Sequence, residues 1–149
     1  MRKLKGSEGF TLIELLIVIG IIAILAAIVI VAVNPARQFA QARNAQRESN
    51  VNAILNAVHQ NMVDNNGEWT CASGDIPGTA TTMASGSGYD ICDCIVPTYL
   101  AEMPVDPSQG SYTDCTSYDT AYTITEATAN RVTVSAPNAE LGRTISVTR

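Results

Sequence analysis

A chain of 149 residues has room for one ordinary domain, and its net charge of −5, from 9 Lys+Arg against 14 Asp+Glu, lacks the basic excess that a nucleic-acid surface needs. Hydrophobic residues at 46% and charged residues at 15% exclude a disordered, solvated tail. With one histidine, four cysteines and no Ser/His/Asp set, P-loop or dinucleotide fingerprint, no enzyme chemistry is expected.

Charge and apolar content are unevenly spread. Residues 1–9 hold Arg2, Lys3, Lys5 and Glu8, a net of +2, and no lysine follows Lys5. The remaining residues carry six arginines and 13 acids, a net of −7. From Leu15 to Val33 no charge interrupts 19 residues, nearly all Ile, Leu, Val or Ala. Counted from Phe10 the segment has 24 residues, and as a helix it would be about 36 Å long, enough for a hydrocarbon core of ~30 Å. The positive-inside rule keeps the N-terminus in the cytoplasm and sends the rest across the membrane. The run is longer than a secretory h-region, so an uncleaved anchor is the plainer reading of its length.

An anchor does not account for Glu14. A carboxylate inside a membrane segment costs roughly 2.5–3.5 kcal/mol on insertion scales, and such groups are usually functional and partnered. A cut after Gly9 would give Phe10 a free amine one helical turn from Glu14. In a helical assembly, Glu14 of one subunit would neutralise the Phe10 amine of the next and set the register.

The segment Lys5-Gly6-Ser7-Glu8-Gly9-Phe10-Thr11-Leu12-Ile13-Glu14-Leu15-Leu16 closely resembles the leader and cleavage site of type IV prepilins and of their relatives, the type II secretion and competence pseudopilins. The resemblance implies a leader removed between Gly9 and Phe10 by prepilin peptidase, methylation of the new Phe10 amine, and subunit registration through Glu14. It covers about residues 5–33.

Asn34-Pro35 ends the apolar run, and proline there predicts a kink or break at the membrane boundary. Beyond it Val51, Leu55, Val58 and Met62 form one helical stripe, widened by Ile54. Arg37, Arg43, Asn44, Gln46 and Arg47 are read as a solvated stretch rather than a DNA contact. One helix is thus expected from near Phe10 to about Asn65, stopped by Asn65-Asn66-Gly67. His59 flanks the stripe with no second histidine and is read as a half-buried helix residue.

Residues 66–149 hold only 12 Leu+Ile+Val+Phe but 22 Ser+Thr. So poor a core calls for cross-links and another surface to pack on. Residues 67–98 read as a long loop, with a helical turn at Thr98–Ala101. Three strands are expected, near Ala121–Thr125, Arg131–Ala136 and Arg143–Thr148, burying one face against the stripe. The segments Asp64–Trp69 and Tyr99–Pro107 are similar to pseudopilin segments that close the long helix and precede the sheet.

Cys71, Cys92, Cys94 and Cys115 would lie in an oxidising compartment. A Cys92–Cys94 bond is too cramped, which leaves 71–92 with 94–115, or 71–94 with 92–115. A four-cysteine zinc site is disfavoured by the short Cys92-Asp93-Cys94 spacing. The layout differs from the common pilin one, in which a disulfide closes a loop near the C-terminus. Asp90, Asp93, Asp106, Asp114 and Asp119 could ligate calcium, which some pseudopilins bind in the corresponding loop. The plainer reading is turn acids with no cofactor.

Together these readings predict an α+β, pilin-like protein in four parts. These are a leader at 1–9, a membrane or filament-core half-helix at 10–33, an amphipathic half-helix at 34–65, and a stapled head at 66–149. The resemblance implies a structural subunit, inserted in the inner membrane and then polymerised with copies of itself by an inner-membrane assembly platform. The filament would be an extracellular pilus for adhesion, motility or DNA uptake. A periplasmic pseudopilus is the alternative, and a binding domain on an uncleaved anchor is the third reading.

Overall fold

The computed structural model describes residues 9–127 and 131–149. Nearly all of the expected leader, residues 1–8, lies outside the described residues. The chain divides into two units, the second beginning at Phe39.

The first unit is dominated by helix α1, Leu12–Val33. Thr11 caps it, and Asn34 ends it in the left-handed conformation, with φ 46°. Helix α2, Pro35–Asp64, begins at once. Asn34 serves both ends: its backbone closes α1, and its Oδ1 accepts from the Arg37 amide at 3.3 Å. Pro35 sits at the first helical position, where its missing N–H costs nothing. The single helix expected from Phe10 to Asn65 is therefore two helices, because asparagine tolerates the left-handed turn and proline favours a fresh start. Asn66, at φ 61°, and Gly67, at φ 94°, close the end of α2 in the expected place.

In the second unit the chain continues through β1 (Thr81–Ala84), the short helix α3 (Cys92–Ile95), β2 (Ser111–Asp114), β3 (Ser117–Ala127), β4 (Arg131–Ala136) and β5 (Ile145–Thr148). All strand pairings are antiparallel, in the order β1-β3-β4-β5. Strand β2 pairs with the start of β3, Ser117–Asp119, and β4 with its end, Thr123–Ala127. Ala121, at φ 55°, marks the irregularity between these halves.

The three expected strands are present, and β3 is longer than predicted. The sheet nevertheless has five strands. Thr81-Thr82-Met83-Ala84 lies within the stretch read as loop and has too little apolar content to announce a strand. Ser111–Asp114 is similarly polar, and becomes a strand by pairing back on β3 through the turn that Asp114 organises at Thr116. Residues 98–101 form no helix; the helical turn lies earlier, at Cys92–Ile95.

The α2 stripe closes the core. Val51, Ile54, Leu55, Val58 and Met62 are buried with Tyr122, Ile124, Val132, Val134 and Ile145 of the sheet and with Met83, Ile91, Ile95 and Met103. Burying a large aliphatic side chain contributes roughly 1.5–3 kcal/mol, so this shared interior is the main cohesion of the unit.

Candidate assembly segment and the head

The N-terminal segment is built around Thr11 and Glu14. Thr11 Oγ1 accepts from the Glu14 amide at 3.3 Å, and the Glu14 carboxylate accepts from the Thr11 amide at 3.3 Å. This is a reciprocal capping box, which satisfies two backbone donors at the helix start. The Thr-x-x-Glu spacing is its signature in the sequence, and the cap gives Glu14 a local role beside its charge. Phe10 precedes the cap, 79% exposed. No residue of α1 is buried, and Leu, Ile and Val cover it on every side. Its length and composition suit a membrane span.

Residues 4–30 match the family model of the prokaryotic N-terminal methylation motif. That motif is the signature of type IV pilin and pseudopilin prepilins. It contains Gly9, Phe10 and Glu14. No curated protein and no solved structure matches the chain. The prepilin motif and the apolar helix behind it fit a membrane-anchored precursor.

In the head, Cys71 bonds to Cys94 and Cys92 to Cys115, each with Cα atoms 5.3 Å apart. Helix α3 explains the choice. Two residues apart on a helix, Cys92 and Cys94 point in different directions. Cys92 faces the core, fully buried, while Cys94 is half-buried beside the end of α2, where Asn61 donates to its carbonyl at 3.2 Å. Cys71–Cys94 closes the long connection on itself and Cys92–Cys115 ties it to the turn between β2 and β3, so residues 67–98 are held rather than loose.

Of the stretch read as solvated, Arg37 and Gln46 are exposed as expected, but Arg43 is half-buried and Asn44 and Arg47 are enclosed. Arg47 and Asn44 are completely buried. Arg47 Nε donates to Asp106 at 2.6 Å, its Nη1 to Glu140 at 2.8 Å and to Asn44 at 3.0 Å, and its Nη2 to Ser108 at 2.8 Å. Arg43 pairs with Glu140 at 2.5 Å, and Asn44 exchanges two hydrogen bonds with the Glu140 backbone. The cluster ties the N-terminal part of α2 to two segments about 60 and 95 residues away in sequence. Burial alone would raise the Asp106 carboxyl, but donors from Arg47, Ser108 and Gln109 outweigh it and bring it to about 2. Glu140 is lowered to about 2 by Arg43 and Arg47. Among the described residues no buried side-chain polar atom lacks a partner. A lone arginine cannot announce burial, because its partners are distant in sequence.

The other acids are dispersed. Asp90 accepts from the Tyr118 hydroxyl at 2.8 Å, Asp114 from the Thr116 amide at 2.8 Å, and Asp119 from the Ala121 amide at 2.8 Å. Asp93 lies exposed in the first turn of α3. Among the described residues no three His, Cys, Asp or Glu side chains gather as a metal site would require. His59 is half-buried on α2, as expected.

Proposed function

We propose that this chain is a structural subunit of a type IV pilus, polymerised through its N-terminal helix. The observation that carries this reading is Glu14, the one charge between Phe10 and Val33, inside a methylation motif at the head of a helix with no buried residue. Prepilin peptidase cuts between Gly9 and Phe10 and methylates the Phe10 amine. The cut leaves that amine next to the Thr11 cap. Glu14 exchanges its local bond to the Thr11 amide for the amine of a neighbouring subunit, a stronger partner because it carries full charge. Bundling then covers the aliphatic surface of α1, and the inner-membrane platform drives extraction. The two disulfides suit a head that leaves the cell.

The similarity of Asp64–Trp69 and Tyr99–Pro107 to pseudopilin segments supports a second reading, a short periplasmic pseudopilus. Mass spectrometry of sheared surface filaments decides between them. A subunit beginning at methylated Phe10, recovered from long filaments at native expression, is expected. Filaments that appear only on overexpression would point to the pseudopilus. A chain that keeps Met1 and stays in the membrane fraction would overturn both in favour of a simple anchor. Gly9→Val should leave the unprocessed mass, since a branched side chain then occupies the cut.

A further inference from the structure

The capping box at Thr11 and Glu14 settles where α1 begins. Thr11 has extended backbone, φ −83° and ψ 150°, and its carbonyl accepts from the Leu15 amide at 3.3 Å, so the first turn closes on it. Gly9 and Phe10 lie outside the helix, and both are exposed. Thr11 Oγ1 occupies the Glu14 amide, and the Glu14 carboxylate occupies the Thr11 amide. With both donors filled, little is gained by winding another turn toward residue 9.

Among the described residues nothing comes within 4 Å of where a Cβ on Gly9 would sit. No packing inside the chain therefore holds the Gly9–Phe10 peptide. Its setting comes from the cap, which leaves it in open chain immediately ahead of the helix.

Loss of the cap would favour a different state. Position 11 stands at the head of an apolar helix, where unpaired N–H groups are costly because little water reaches them. Without the Thr11 hydroxyl, the Glu14 amide and its neighbours find partners when the helix winds back through Phe10 and Gly9. A peptide bond inside a helix is shielded and hydrogen-bonded, and its cleavage follows the population of the open form.

We propose that Thr11 is a positioning residue for the processing of this chain: its cap keeps the Gly9–Phe10 bond out of the helix and open to the peptidase. Hydrolysis adds one water across that bond and leaves a Gly9 carboxylate and a Phe10 amine. Thr11 takes no part in that chemistry and acts by fixing the first residue of α1. The inference deepens the prepilin reading and rests on it.

The test offers the full-length precursor and its position-11 variants to purified prepilin peptidase in detergent micelles, with the products weighed by mass spectrometry. Thr11→Val keeps the shape of the side chain and removes the oxygen. It should raise the apparent KM roughly two- to fivefold at unchanged kcat, because only the open form binds and a lost cap shifts its population by about that factor. Thr11→Ser and Thr11→Asn, which restore a capping oxygen, should return KM to the wild-type value. The carbon-13 chemical shifts of Gly9 and Phe10 should move toward helical values in Thr11→Val and stay extended in Thr11→Ser. Equal KM for Thr11→Val and wild type, a fall in kcat alone, or unmoved shifts would overturn the role of the cap while the cut itself stands. A wild-type chain that the peptidase leaves whole, or cuts elsewhere than Gly9–Phe10, would refute the prepilin reading and this role with it.

Discussion

Helix α1 and helix α2 are neighbours in sequence and opposites in where their cohesion comes from. Helix α1 buries none of its 22 residues within the chain. Helix α2 buries Val51, Ile54, Leu55, Val58 and Met62 in its own sheet, and even its charged Arg47 is enclosed. The apolar surface of α1 can be satisfied only by lipid or other subunits, whereas the head is self-contained. Assembly and head stability should therefore respond to different mutations.

The largest expected effect is on the α1 side. Glu14→Ala should abolish filament yield while membrane insertion and the head disulfides remain, because in the proposed pairing the variant removes the charge partner of the Phe10 amine and nothing in the head. Filament shearing alongside membrane fractionation checks this. Normal yield would show that α1 registers without charge.

On the head side, Arg47→Ala leaves Asp106 buried without its cation. The expected loss is about 3–5 kcal/mol, read as a lower melting temperature and faster proteolysis of residues 66–149. Insertion of α1 should not change. A variant with both Cys92 and Cys115 replaced by Ser comes next, at roughly 3 kcal/mol for a link closing about 24 residues. Peptide mapping without reductant should return Cys71–Cys94 and Cys92–Cys115. Free thiols or the other pairing would break the account of the staple.

The smallest effect is on pH dependence. Asp106 and Glu140 are lowered on folding, so their contribution is complete above the unfolded carboxyl range near 4. It fades as pH falls toward 2. The Asp106 shift, from 3.8 to about 2, corresponds to about 2 kcal/mol. Acid unfolding of the head should steepen between about pH 4 and pH 2, and Asp106→Asn should flatten that slope. The insertion of α1 should show no matching transition.

Local pattern announced whatever depends on neighbours in sequence. The apolar run, the α2 stripe, the stop at Asn65-Asn66-Gly67 and the strands β3 to β5 all follow from periodicity and composition within a few residues of each other. The Thr11–Glu14 capping box was equally local and equally readable. The prepilin resemblance rests on one contiguous stretch, which the methylation motif at residues 4–30 matches.

Long-range pairing decided the rest. Strand β1 exists because β3 offers it hydrogen-bond partners, not because Thr-Thr-Met-Ala prefers to be extended. The choice between two disulfide pairings waited for α3 to aim Cys92 and Cys94 apart. Arg47 looked like any wet arginine until the fold brought Asp106 and Glu140 to it. In each case the deciding partner lies more than about 20 residues away, beyond the reach of any helical or strand period, and only chain folding supplies the neighbour that gives the residue its role.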